Sequence, residues 1–345
     1  MSKRIAVVLF NLGGPDSPEA IQPFLFNLFN DRAIIQLPNP LRWLLARFIS
    51  SRRAPVAKEI YKHLGGKSPL LDLTLEQAAA LEKKLAAVGE VRCFVAMRYW
   101  HPMIVETAER VRDFAPDEII LLPLYPQYST TTTGSSLNEW ARARSVVGLS
   151  APEKSICCYP DDPGWISAQV DLIRIALDGL GTDSETRILF SAHGLPKKIV
   201  DAGDPYQSQV ESTVGLIVHK LDTDTDWVIC YQSRVGRLEW IGPSTEDELK
   251  RAAEDGVQVL VVPVAFVSEH SETLVELDIE YRELAENLGV SAYHRVPAVG
   301  VHDQFISGLA GLVRKTLDQQ KPICSGAPDG KRICELAFSR CALNN

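Results

Sequence analysis

The sequence predicts an α/β fold made of two similar domains, each built on a parallel sheet covered by helices. Three observations carry this. Long apolar runs without alternation, such as IAVVLF from Ile5, EIILLP from Glu118 and QVLVVP from Gln258, suit strands buried on both faces. Between them lie Ala- and Leu-rich segments of helical period, at Thr74 to Ala87, Pro102 to Phe114 and Ser244 to Asp255. The strand runs also come in pairs. Ile5 to Pro15 (IAVVLFNLGGP) matches Ile188 to Pro196 (ILFSAHGLP), and both break into a Gly-containing, Pro-ended turn. Val91 to Arg98 (VRCFVAMR) matches Trp227 to Arg234 (WVICYQSR). Glu118 to Ser129 (EIILLPLYPQYS) matches Gln258 to Glu269 (QVLVVPVAFVSE).

The expected division is an N-terminal domain over 1–150, a C-terminal domain over 151–318 and a cysteine-containing extension over 319–345. The turn-rich run from Cys158 to Trp165 opens the second half. The first half holds an extra excursion at about 24–62. From Arg32 to Lys58 it carries six basic residues and no acidic one, interleaved with Leu41, Trp43, Leu44, Phe48 and Ile49. That pattern suits a membrane surface or an amphiphilic anionic ligand, and equally a helical subdomain with one side in the core.

With 345 residues, 46% hydrophobic and 23% charged, the chain is long enough for two cores. A net charge of -8 argues against nucleic acid as a partner. No apolar stretch is long enough to span a bilayer. The apolar N-terminal run ends in Asn-Leu-Gly-Gly-Pro, a strand entering a turn rather than a cleavage site, so the expected location is the cytoplasm. There is no G-x-G-x-x-G fingerprint, P-loop, HExxH or G-x-S-x-G.

Ligands of parallel α/β sheets bind at the carboxyl ends of strands, and the paired runs place their polar residues there. His193 ends one such run, before Gly194. The segment from Glu269 to Tyr281 follows another. Read as a helix, it aligns Glu269, Glu272, Glu276 and Glu280 in one acidic stripe, opposite Leu274, Leu277 and Tyr281. Carboxylates leading to a histidine suit a divalent cation or proton uptake. The Ser/Thr run from Ser129 to Ser136 suits a helix cap or an anionic group.

Seven cysteines do not form a disulfide framework. Cys324, Cys334 and Cys341 crowd the C-terminus, and three thiolates there suit zinc or, with a fourth, an iron–sulfur cluster.

Several segments together resemble the ferrochelatase family nearly end to end. They are NLGGP (Asn11 to Pro15), GGKSPL (Gly65 to Leu70), MRYWHP (Met97 to Pro102) and LYPQYSTTTTGSS (Leu124 to Ser136). FSAHGLP (Phe190 to Pro196), GDPY (Gly203 to Tyr206), YQSRVG (Tyr231 to Gly236), WIGP (Trp240 to Pro243) and VAFVSEHSETLVELDIEY (Val264 to Tyr281) complete the set. The resemblance implies two Rossmann-like, type II chelatase-like domains with a porphyrin cleft between them. It implies insertion of Fe²⁺ into protoporphyrin IX to give protoheme, with coproporphyrin III as the nearest alternative substrate and a non-catalytic haem or metal carrier as the alternative class. It makes His193 and Glu272 the iron- and proton-handling pair, with Glu269, Glu276 and Glu280 extending the path. Candidate porphyrin contacts are Leu12, Arg52, Arg53, Arg98, Tyr99, Tyr125, Ser129, Trp240 and Phe266. The basic, apolar excursion resembles the family's active-site lip, which implies peripheral contact with the inner face of the membrane. A monomer or a homodimer is expected.

Two departures stand out. Many relatives have Met where this chain has Leu12. Some members hold a [2Fe-2S] cluster on three C-terminal cysteines and one internal cysteine. The internal position of animal members is Thr130 here, so the expected ligands are Cys158, Cys324, Cys334 and Cys341, with Cys157 as the other choice for the internal one. Adjacent strand residues face opposite ways, so only one of Cys157 and Cys158 is expected to point at the tail.

Overall fold

A computed structural model describes residues 3–181, 184–234, 236 and 238–343. Val235 of the YQSRVG segment and the last two residues of the expected extension lie outside them. The chain divides into two compact units, 1–158 with 309–332, and 159–308 with 333–345. The first unit therefore runs eight residues beyond the expected boundary. It also takes back part of the chain assigned to the second domain, and the extension is split at residue 332.

The first unit holds a five-stranded sheet of order β2-β1-β3-β4-β9. Its strands are β1 (Arg4–Asn11), β2 (Glu90–Met97), β3 (Glu118–Pro123), β4 (Glu153–Ile156) and β9 (Ile323–Cys324), all parallel. The second unit holds β5 (Thr186–His193), β6 (Asp226–Gln232), β7 (Gln258–Pro263) and β8 (Tyr293–Arg295), in order β6-β5-β7-β8, again parallel. The three sequence pairs thus occupy equivalent places: β1 with β5 at the centre, β2 with β6 on one side, β3 with β7 on the other.

The unbroken apolar runs have the physical cause inferred for them. Along β1, Ala6, Val8 and Phe10 pack in one cluster with Ile104, Ala108 and Val111 of α4 (Ile104–Phe114) and Trp140 of α5 (Thr133–Val147). Ile5, Val7 and Leu9 alternate with them and are equally buried. In the second unit Leu189, Val259 and Val261 pack with Leu249 and Ala252 of α9 (Thr245–Asp255), which Ser244 caps by accepting from the Asp247 N–H at 3.0 Å.

The expected excursion forms α1 (Ile21–Phe29) and α2 (Asn39–Lys62). One side of it joins the core, as the helical-subdomain reading expects, and another side is exposed. Ala46, Ser50, Ala54 and Tyr61 of α2 are buried, while Leu41, Trp43, Leu44 and Phe48 are exposed. Next comes α3 (Leu70–Leu85). The remaining helices are α6 (Pro163–Asp178), α7 (Lys197–Asp201), α8 (Tyr206–Leu221), α10 (Tyr281–Leu288) and α11 (Asp303–Asp318).

One element differs in kind from its expectation. Glu272–Glu280 is a π-helix, not an α-helix, and α10 continues from it. Glu269 precedes it and lies outside any helix, so the continuous four-carboxylate stripe does not exist. Leu277 and Tyr281 are buried as expected, with Thr273 and Val275 beside them, whereas Leu274 is only half-buried.

Candidate active site

His193 is the last residue of β5, the central strand, with β6 on one side of it and β7, which the chain reaches by crossing back from β6, on the other. That reversal of strand order is where parallel sheets open a crevice. Gly194 follows because nothing larger fits: a Cβ there would lie 2.8 Å from the Gln232 carbonyl oxygen, which accepts the Gly194 N–H at 2.8 Å. The His193 Nδ1 sits 2.6 Å from the Gly194 carbonyl oxygen. A carbonyl only accepts, so Nδ1 carries a proton, and in the neutral ring the lone pair is on Nε2. That nitrogen is 3.7 Å from Glu272 Oε1, beyond hydrogen-bond reach. The His193 side chain is 42% exposed, so the ring is open to an incoming group. The buried Tyr206 hydroxyl donates to the His193 carbonyl at 3.1 Å and fixes the strand end.

Glu272 begins the π-helix and lies between two imidazoles. His270 Nε2 is 3.8 Å from its other oxygen. Burial holds His270 below the ordinary histidine range, and that effect outweighs the attraction of Glu272 and Glu269. His270 is therefore neutral near pH 7, with the half-buried Phe266 ring against it at 4.7 Å between centroids.

One turn on, Glu276 accepts from the Ser233 N–H at 2.8 Å, the Ser233 hydroxyl at 2.5 Å, the Gln232 amide at 3.0 Å and the Tyr281 hydroxyl at 3.2 Å. Even so, burial, and then the charge of Glu272, pushes its carboxyl above the usual range. Gln232 organises this group. Its carbonyl accepts the Ser191 hydroxyl at 2.9 Å, which directs its amide to both Glu276 and the Glu272 backbone carbonyl, the latter at 3.2 Å. Ser233 holds φ +60, a left-handed conformation unfavourable for serine, and keeps it while making two bonds to Glu276. Glu280 ends the π-helix and is exposed.

Four of these residues, Gln232, Ser233, His270 and Ser191, were not singled out from sequence. The available signal was position alone: Gln232 and Ser233 end the run paired with VRCFVAMR, and His270 lies two residues before Glu272.

Several expected site residues have internal partners. Glu269 lies 2.9 Å from Arg295, which also holds Asp278, and accepts the Ala298 N–H at 2.9 Å. In the first unit, Arg98 pairs with buried Asp31 at 2.9 Å, and the Tyr99 hydroxyl donates to the same oxygen at 2.7 Å. Tyr99 is 1% exposed, so it belongs to the core with Ile21, Phe24 and Tyr61 rather than to an open wall. Ser129 is buried, and its hydroxyl lies 2.8 Å from that of Thr131. Leu12 and Tyr125, in the first unit, and Trp240, in the second, are half-buried. Arg52 and Arg53 are exposed on α2, lying over Phe48 and Phe29 at 5.2 and 5.9 Å.

The cysteines are divided between the units. In the first, the Cys157 N–H donates to the Cys324 carbonyl, and the Gly326 N–H to the Cys158 carbonyl. Cys157 and Cys158 follow β4 rather than lying in it, and their sulfurs are 3.2 Å apart, so the expectation that they face opposite ways fails. In the second unit, Cys334 Sγ accepts from the Gln209 amide at 3.0 Å, and Cys341 is buried. Among the described residues, no group of three or more His, Cys, Asp or Glu side chains is arranged to hold a metal ion.

The fold defines the class. The chain is similar to the solved structure of SirB from Bacillus subtilis with Fe3+, at a TM-score of 0.55 over 92% of this chain and 96% of that one, with 13% identity. It is also similar to the sirohydrochlorin chelatase SirB from Bacillus subtilis subspecies spizizenii in complex with cobalt, at a TM-score of 0.52, 14% identity and coverage of 91% and 95%. This is the chelatase fold of two parallel-sheet domains. The family model described as Ferrochelatase matches residues 4–317. Curated ferrochelatases of Phenylobacterium zucineum and Caulobacter vibrioides are 54% and 50% identical, each over 99% of this chain and 98% of theirs. The chain belongs to the ferrochelatase family.

Proposed function

We propose that this chain inserts ferrous iron into protoporphyrin IX, releasing two protons and giving protoheme at the end of haem biosynthesis. The observation that carries the reading is the His193–Glu272 pair at the sheet's switch point, backed by a second carboxyl that burial biases toward holding a proton.

Iron cannot enter the macrocycle until two pyrrole N–H protons leave. The Nε2 lone pair of His193 takes one as a general base, since Nδ1 is committed to Gly194. Glu272 holds the incoming cation or relays protons, taking the first from His193 so that Nε2 can accept the second, and neutral His270 beside it adds no competing charge. Glu276 takes the proton onward and exposed Glu280 gives it to solvent. Glu269, neutralised by Arg295, serves as an anchor for this region rather than as a carrier. A flat ring hides its nitrogen lone pairs in its plane, so binding contacts that distort it help the metal in. In the second unit half-buried Trp240 and Phe266 are the candidates for such contacts, and in the first unit half-buried Leu12 and Tyr125 are.

The lip reading rests on Leu44 and Phe48, each 59% exposed, alternating on α2 with Arg47, Arg52 and Arg53. Apolar side chains flanked by guanidiniums suit an anionic lipid surface, from which a greasy substrate arrives. Among the described residues no helix is long and apolar enough to cross a membrane. The [2Fe-2S] reading on Cys158, Cys324, Cys334 and Cys341 rests on the sequence. A visible spectrum of freshly purified protein with iron and sulfide analysis tests it, and colourless protein free of both removes it.

The deciding assay compares protoporphyrin IX with coproporphyrin III under the same conditions. The apolar lip favours the substrate with two propionates over the one with four, so faster iron insertion into protoporphyrin is expected. Faster turnover of coproporphyrin overturns the substrate assignment, and no insertion into either overturns the activity.

A further inference from the structure

The first sheet has a second feature at its other end. Arg4 opens β1, and an eight-residue strand places it about 23 Å from the carboxyl end where Leu12 follows. There a cleft of about 330 Å³ is lined by Arg4, Arg92, Phe94, Arg110, Asp113 and Phe114. The three arginines come from three elements, β1, β2 and α4. The Arg4 and Arg92 guanidiniums lie 4.3 and 4.8 Å from the Phe114 ring centre, and that of Arg110 lies 5.9 Å from the Phe94 ring.

The charge balance is unusual for a protein of net charge -8. Arg4 has a distant partner, Glu90 at 3.5 Å, and Asp113 is taken by its neighbour Arg112 at 2.8 Å. Among the described residues, Arg92 and Arg110 have no carboxylate within ion-pair distance. Three guanidiniums thus converge on a cleft whose lining holds one carboxylate, Asp113, and two of the three have no direct ion-pair partner. A guanidinium resting its face on a ring keeps its N–H edge for acceptors lying in its plane. The rings are 3% and 4% exposed, so they form a covered floor and offer no open face for a base or another aromatic group to stack on. Recognition would rest on charge and on the forked donors.

We propose that this cleft binds a compact polyanion of phosphate or carboxylate chemistry, held by the edges of Arg92 and Arg110 and supported by Arg4. The test is calorimetric titration of the full chain at low salt with inorganic pyrophosphate and, separately, citrate. Saturable one-site binding that weakens as salt rises is expected for at least one of them, and the tighter of the two assigns the chemistry. R92Q/R110Q should weaken binding about tenfold or more. R92K/R110K should fall between, because it keeps the charge but loses the fork. Arg92 and Arg110 are exposed, so the thermal midpoint should not move, and R110Q alone gives the same test on a single helix surface position. Absence of saturable binding of either anion overturns the proposal. So does unchanged affinity in R92Q/R110Q, or an equal loss in R142Q, whose arginine is paired with Glu139 on another helix.

Discussion

At the level of single residues, the groups of the proposed site each commit one side to a fixed partner and turn the other elsewhere. His193 spends Nδ1 on the Gly194 carbonyl and keeps Nε2. Gln232 spends its carbonyl on Ser191 and turns its amide to Glu276. The second arrangement has a direct consequence. Gln232→Ala removes a donor from a buried carboxyl and frees Glu276 to move, so kcat for metal insertion should fall about tenfold with little change in KM for the porphyrin. Gln232→Glu should be worse, because it sets a second carboxylate against one already biased toward protonation. Steady-state kinetics on both variants checks the order. His193 stood out in the sequence because it ends a strand, whereas Glu272 was one of four carboxylates in a stripe until the family resemblance separated it from the others. Gln232 could not, since a glutamine ending an apolar run has no chemical signature until the neighbouring strand places Ser191 beside it. Tyr99 misled for the opposite reason. The resemblance made it a candidate porphyrin contact, but its hydroxyl bonds Asp31, more than sixty residues away, and the ring is inside.

At the level of elements, strands were the most legible. Unbroken apolar runs need two covered faces, and β1, β3, β5 and β7 each have them. The π-helix was not legible, since spacings of three and four are shared by any helix face and nothing local marks a wider turn. Its frequent occurrence at functional sites agrees with its place beside His193. Strand starts are tied electrostatically. Glu118, which opens β3, is buried and bonded to Lys3 at 2.5 Å and Lys154 at 2.7 Å. Burial alone would raise its carboxyl, but the two lysines outweigh it and hold it below its ordinary value of 4.5. A lowered carboxyl stabilises the fold above its unfolded value and loses that contribution as pH falls through the folded one. Glu118→Gln should therefore destabilise by roughly 1–2 kcal/mol at pH 7, moderated by the exposure of Lys3, with the difference shrinking below about pH 4.5. Urea unfolding at both pH values measures it. On α2 the expectation is reversed. Leu44→Ser with Phe48→Ser should leave stability within about 0.5 kcal/mol, because both side chains are already exposed. The same variant should lose most of its binding to anionic lipid vesicles in a sedimentation assay. Wild-type binding in that variant would remove the lip from the membrane contact.

At the level of the whole molecule, two sheets that share the order of their first four strands carry different chemistry at equivalent ends. The carboxyl end of β1 leads to Asn11 and Leu12, while that of β5 leads to His193. After β7 comes Glu272, whereas the matching run after β3 ends in Ser129 and a hydroxyl-rich turn. The duplication was legible because both copies keep the apolar runs, but the unit boundary was not. Return of the chain after residue 309 to the first unit is set by β9 pairing with β4, a contact between segments far apart in sequence. Membership of the ferrochelatase family joins these parts to one reaction, and the proton-accepting role of His193 is the claim on which the mechanism turns. The most direct measurement is the rate of iron insertion into protoporphyrin by His193→Ala, with porphyrin binding followed in parallel by fluorescence. The expected result is a loss of about a hundredfold or more in kcat with porphyrin still bound. Insertion by His193→Ala at near the wild-type rate would contradict it.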